Sequence, residues 1–195
     1  TDLTVGFTEH HVWMGGGDPL PSGDWFLANI PTEEVFTTPD RLSAHGYVTT
    51  TRPVSVMDSL VEGVRLEFEH GKVISCTAQK GQAVMDRFLE TDEGASYLGE
   101  VALVDEDSPI AQAKHIFHSI LFDENASCHL ALGAGYPSCL DNAKQLNSDE
   151  KLLESGCNRS LVHTDFMVGS SDMCIEATVK NGENIVIMRD GKFIL

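Results

Sequence analysis

Four short stretches of this chain carry histidine, carboxylate or phenol groups where a folded segment ordinarily has apolar or plainly solvated residues. In SLVHTDFMVG, residues 160–169, His163 and Asp165 are two apart. On a strand they share one face while Val162, Thr164, Phe166 and Val168 take the other, so imidazole and carboxylate stand side by side as a metal ion requires. A salt-linked His–Asp pair is the plainer reading of that spacing taken alone. In LFDENASCHLALGAGYP, residues 121–137, Asp123, Glu124 and His129 interrupt a small and apolar segment, and Tyr136 follows in a Gly-rich turn. Cys128 beside His129 does not make a thiol-protease pair, because neighbours on an extended chain point to opposite faces. Glu100 opens the apolar run of LGEVALV, either as a strand-end charge or as a ligand. Glu33 and Glu34 lie between Pro31 and Pro39 in NIPTEEVFTTPD, residues 29–40, which reads as a rigid extended loop with a solvated acidic pair.

Taken jointly, two histidines and three or more carboxylates suit a pair of divalent ions bridged by carboxylate and water. Imidazole favours zinc or cobalt, and the carboxylate excess favours hard or borderline ions. Two such ions side by side lower the pKa of a bound water and clamp a tetrahedral intermediate, which is metal-assisted hydrolysis.

The elements that must position these groups are mostly strands. Residues 3–14 (LTVGFTEHHVWM) alternate as a half-buried strand and end at the breaker Gly15-Gly16-Gly17-Asp18-Pro19. No GKS or GKT follows those glycines, so they are not a phosphate cradle. Residues 47–55 and 64–79 read as strands, the second a hairpin turning near His70-Gly71-Lys72. Residues 81–91 place Val84, Phe88 and Leu89 on one helical face. From Ser160 onward the pattern is strand, strand, strand, with turns at Asn181-Gly182 and Asp190-Gly191. The fold class is α+β, a β-rich domain with mostly antiparallel strands and a few short helices.

Composition sets the outer bounds. The 195 residues suffice for one domain with its own core and show no repeat or dividing linker. Thirteen Lys and Arg against 30 Asp and Glu give a net charge of −17, which disfavours nucleic acid and anionic membrane and suits metal ions or peptides with a free ammonium group. The five cysteines are scattered, odd in number and without a CxxC pair, as in reduced cytosolic proteins. No apolar run reaches the ~20 residues of a membrane span, and no basic-then-apolar leader is present. The chain starts at Thr1, as a mature product or the interior of a longer protein would.

The strings NIPTEEVFTTPD, FLETDEGASYLGEVALV, SILFDENASCHLALG and NRSLVHTDFMVGSSDM, in this order and spacing, resemble the thermophilic-type metalloaminopeptidase family nearly end to end. The resemblance covers the C-terminal catalytic part of such enzymes as a single metal-binding domain, residues 1–195; the family's N-terminal α/β domain is absent from this chain. It implies a cytoplasmic, homodimeric aminopeptidase of broad specificity. Such an enzyme removes N-terminal residues from peptides with a two-metal-activated hydroxide, the ions being zinc or cobalt first and magnesium or manganese as alternatives. Carried over residue by residue, the metal ligands are Glu34, Glu100 (bridging), Glu124, His129, His163 and Asp165. Tyr136 would polarise the scissile carbonyl and stabilise its oxyanion. Register alone selects Glu34 over Glu33, which could instead be the ligand; Glu33 or Glu100 could shuttle the proton to the leaving amine. His115 and His118 fall outside the matching strings and read as surface or core residues, and His10-His11 as part of the opening strand. The rival readings are a catalytically incomplete metal-binding and dimerisation fragment of such an enzyme, and an acidic scaffold that holds basic peptides by charge.

Overall fold

The computed structural model describes residues 1–194. It is an α+β fold in which every strand pairing among these residues is antiparallel. A five-stranded sheet forms the centre, in the spatial order His163–Met167, His129–Gly133, Leu98–Val104, Glu34–Thr37, Met14–Gly15. A four-stranded sheet orders Asp2–Thr4, His45–Thr49, Arg65–Glu69 and Lys72–Thr77. A three-stranded meander, Ile175–Thr178, Asn184–Arg189 and Lys192–Phe193, covers the end of the central sheet near Leu103 and Cys128.

Alternation along the central strands decides which face is core. Leu98, Leu130, Leu132 and Phe166 face the four-stranded sheet and the Gln82–Leu89 helix, meeting Val48, Leu66, Phe68, Met85 and Phe88 in one buried cluster. Phe88 meets Phe166 edge to face at 6.3 Å between ring centroids, the geometry that the aromatic quadrupole favours. Helix and sheet therefore share the burial that stabilises both. The opposite face of the sheet is free to carry polar groups without disturbing this core.

The 65–77 hairpin turns at His70-Gly71, both at positive φ, as its composition implied. Asn181-Gly182 and Asp190-Gly191 likewise close hairpins, with Gly182 and Gly191 in the left-handed region that costs glycine little. The tail has four strands rather than three, since Lys192–Phe193 returns on Asn184–Arg189.

Four readings need correction. Residues 47–55 are not one strand: His45–Thr49 belongs to the four-stranded sheet, whereas Val54–Val56 pairs with Ser59–Val61 in a separate hairpin. Residues 3–14 are not one strand: Asp2–Thr4 joins the four-stranded sheet and Met14–Gly15 joins the central one, with a turn near Thr8 between them. One alternating run thus serves two sheets, which periodicity cannot register. The Gly15–Pro19 breaker carries the ends of two strands, and Gly16 between them makes room for a packed side chain: a Cβ there would overlap the Thr32 hydroxyl. Within 29–40, Glu34–Thr37 is an interior strand rather than loop, paired on both sides.

Candidate metal centre

Register places the chemistry-bearing residues together. Residues directly opposite each other in a sheet share a face. Phe36, Ala102, His129 and Met167 form one cross-strand row; Glu100, Ala131 and Asp165 form the next; His163 lies opposite Gly133, and Glu34 opposite Val104. All the side chains of these rows therefore rise from one face of the central sheet. Alanine and glycine at 102, 131 and 133 hold that face open between the larger groups.

Glu100 reaches this face through an irregularity. Leu98 pairs with Leu132 on the core side, yet Glu100 pairs with Ala131 on the site side, so the strand is bulged at Gly99. Without that extra residue Leu98 and Glu100 would share a face, because the side-chain period is two. Gly99 fits because a Cβ there would overlap the Ala134 carbonyl oxygen, and the buried Thr38 hydroxyl donates to the Gly99 carbonyl at 2.8 Å.

Two clusters result. Glu34, Glu100 and His129 present ligand atoms within 4.8 Å of one another, and so do Glu100, His163 and Asp165. Glu100, only 4% exposed, belongs to both. His129 Nε2 is 3.0 Å from Glu34 Oε2; His163 Nε2 is 3.2 Å from Glu100 Oε2 and 3.3 Å from Asp165 Oδ1. The other nitrogen of each ring faces a backbone carbonyl: His129 Nδ1 to Ser127 at 3.1 Å and His163 Nδ1 to Ala134 at 2.7 Å. Nδ1 is therefore the donor, and Nε2 is aimed at the carboxylates, the orientation that a second-shell carbonyl gives a metal-binding histidine.

The donors fit divalent cations. Glu34 Oε2 and Asp165 Oδ1 are buried and have no hydrogen-bond donor, although each lies at ion-pair distance from an imidazole. Buried acceptors normally find a donor, and two that do not, both aimed at an imidazole nitrogen, call for positive charge between them. Without a metal, that charge is a proton. Burial pushes His129 down, but the Glu34 contact and the nearby carboxylates overcome it and raise it to about 9. His163 is raised to about 10, burial again being outweighed, here by Asp165 and Glu100. Burial, then Asp165 and Glu34, lift Glu124 to about 8. Glu100 is also raised, by burial first, while Asp165 is lowered as the imidazoles outweigh its burial.

These groups line one cleft of about 800 Å³ together with Phe36, Tyr136, Met57, Asp58, His118, Ile120 and Leu121. Glu124 lines the cleft but stands outside both three-residue clusters. Tyr136 Oη is 3.3 Å from His163 Nε2, its ring set edge-on against Phe36. Burial and then the carboxylates push its phenol well above the ordinary range, so it stays a protonated donor. Glu33, in contrast, is exposed and outside the cleft lining; its backbone N–H donates to Asn125 Oδ1 at 2.6 Å. Cys128 turns to the opposite side and hydrogen-bonds Val104 at 3.3 Å. His10 pairs with Asp141 and His11 with the Thr8 carbonyl, and neither lines the cleft.

Three contributors escape sequence reading. Asn125, 1% exposed, accepts from Glu33 N–H and donates to the Leu121 carbonyl at 3.1 Å, tying the Glu34 segment to the Glu124 segment. His118 is a cleft-wall residue at positive φ, and Asp58 lies across a hairpin tip. Nothing in periodicity marks any of the three.

Residues 1–193 match the family model described as thermophilic metalloprotease (M29). The chain is 45% identical over 193 residues to aminopeptidase AmpS of Bacillus subtilis strain 168 and 42% identical over 195 residues to aminopeptidase PepS of Streptococcus thermophilus. Those alignments cover 99% and 100% of this chain and 47% of each relative, so the chain spans about half the length of the curated relatives it matches. The solved structure of wild-type AmpT from Thermus thermophilus superimposes with a TM-score of 0.92 at 41% identity, covering 100% of this chain and 47% of that one.

Proposed function

Because this chain belongs to the M29 family of thermophilic metalloproteases, we propose that it is the metal-bearing part of an aminopeptidase that removes N-terminal residues from peptides. The observation that carries the reading is Glu100, shared by two donor clusters that each contain one histidine and one further carboxylate. Two divalent ions, zinc or cobalt by this donor chemistry, would be held by Glu34, Glu100 and His129 and by Glu100, His163 and Asp165. They would supply Lewis acidity and a water of lowered pKa. Glu124, which lines the same cleft, would complete the coordination around Glu34 and His129.

The chain's own groups do the rest. The carbonyls of Ser127 and Ala134 hold the two imidazoles in the tautomer that leaves Nε2 available. Tyr136, protonated throughout the neutral range, donates to the oxygen on which negative charge develops. Phe36 braces its ring and fixes the direction of that donation. An acidic cleft with no Lys or Arg in its lining attracts the free α-ammonium of a peptide, which selects amino termini. Glu100 would pass a proton to the leaving amine. A cytoplasmic homodimer completes the proposal.

A leucine p-nitroanilide assay with added zinc or cobalt tests this reading. Turnover abolished in His163→Ala or Asp165→Ala, together with bound metal reduced from two ions to one or none, supports it; full metal occupancy in either variant overturns the ligand assignment. Tyr136→Phe should keep both ions and lose at least tenfold in kcat. A wild-type chain that binds two ions and turns nothing over is the incomplete half-enzyme of the alternative reading.

A further inference from the structure

A second cavity, of about 260 Å³, adjoins the metal-centre cleft, and Ser55, Asp58, His118 and Ile120 belong to the walls of both. It is smaller than the cavities that hold drug-sized molecules, and suits a single side chain. Met167 forms part of its floor and lies on the same strand face as His163 and Asp165. Two residues along a strand advance ~6.6 Å, so the pocket begins one such step beyond Asp165. A group attached to the first α-carbon of a peptide held at the metal centre spans that distance with a four-carbon stem.

The chemistry of the walls is divided. Val54, Leu60, Ile116, Ile120 and Met167 offer apolar contact to a stem. Asp123 is spent on the wall itself: its two oxygens accept the backbone N–H groups of Phe117 at 2.8 Å and Ser119 at 3.1 Å, which fixes the His118 turn. Asp58 makes no salt bridge among the described residues, and no Lys or Arg lines either cavity. Met57 and Asp58 form the two-residue tip between Val54–Val56 and Ser59–Val61, with φ of 47° and 59°. Such tips are ordinarily Asn-Gly or Asp-Gly, and aspartate is among the residues that enter the left-handed region readily. The tip thus holds an exposed carboxylate where the two cavities meet.

Resting on the aminopeptidase reading above, we infer that this pocket receives the side chain of the substrate's N-terminal residue. It selects a long apolar stem ending in positive charge, lysine or arginine, with Asp58 as the specificity-determining residue. The test has an arm that needs no catalysis. The metal-free chain, labelled at its methionine methyls, is titrated with n-butylammonium, the lysine side chain alone, and with 1-butanol. A saturable shift of the Met167 methyl with the cation, weaker with the alcohol and about fivefold weaker in affinity for Asp58→Asn, is expected. No Met167 shift, or equal response to cation and alcohol, overturns the inference. Asparagine tolerates the left-handed region, so the hairpin survives the change. In the second arm, metal-loaded protein is assayed on lysine and norleucine p-nitroanilides. The lysine-to-norleucine ratio of kcat/KM should fall about fivefold in Asp58→Asn, and an unchanged ratio also overturns the inference. Absence of turnover on both substrates removes the aminopeptidase reading instead, while the methyl titration still decides the pocket.

Discussion

At the scale of residues, the centre is a set of charges that cannot coexist unaided. Glu34, Glu100, Glu124 and Asp165 converge on two imidazoles, and without metal the conflict is relieved by protons on His129, His163 and Glu124. Metal ligands must be deprotonated, so binding expels those protons. Titration calorimetry at pH 7 in buffers of differing ionisation enthalpy should record two to three protons released as both ions bind, with apparent affinity rising toward pH 9. Fewer than one proton would contradict the tautomer and ligand assignment. The same groups set the pH response of the metal-free fold. His129 and His163 are raised from 6.5 to about 9 and about 10, and Glu124 from 4.5 to about 8. A raised pKa contributes stability that is complete below the unfolded value and is lost as pH climbs through the folded value. In chelator, Tm should therefore decline from pH 5 to pH 10, and with bound zinc this decline should be much smaller.

At the scale of elements, ordinary strands bring the candidate donor groups together through two local devices. The bulge at Gly99 sends Leu98 to the core and Glu100 to the site. Gly99→Ala drives a methyl into the Ala134 carbonyl, and the strand can relieve the overlap only by shifting the bulge that aims Glu100. The expected cost is ~2 kcal/mol, with both ions lost because Glu100 serves both clusters; calorimetric unfolding and metal analysis measure the two effects. The second device is Asn125, the strut between the segment bearing Glu34 and the segment bearing Glu124. Removing its amide leaves the Glu33 N–H and the Leu121 carbonyl without their partner at a part-buried junction. Asn125→Ala should cost ~2 kcal/mol. It should also weaken the Glu34–His129 position about tenfold while sparing the His163–Asp165 position, a split that competition with a chromophoric chelator resolves.

At the scale of the whole molecule, core and chemistry occupy opposite faces of one sheet. The large apolar cluster lies between the central sheet, the four-stranded sheet and the Gln82–Leu89 helix, and it draws mainly on the residues that alternate with those of the metal centre, Met167 being the one that also lies on the site face. Chelation should then lower Tm while leaving the far-ultraviolet circular dichroism at 25 °C unchanged; loss of strand signal in chelator would show that the ions are part of the core. The same separation explains what could be read without coordinates. Alternation and turn residues were enough for the 65–77 hairpin, the helix at 82–89, the pairing of His163 with Asp165, and an acidic antiparallel α+β domain, because these depend on neighbours within a few positions. The matching strings added family and ligand types. The convergence of residues 34, 100, 129 and 163 from four strands, the placement of Glu34 and not Glu33 in the cleft, and the division of residues 3–14 between two sheets are long-range matters. Register between distant strands decides them, and a single bulged glycine is enough to move a carboxylate from one face to the other. The sequence by itself determined which groups could bind metal; only the tertiary structure decided which of them meet, because side-chain direction is local while cross-strand registry is not.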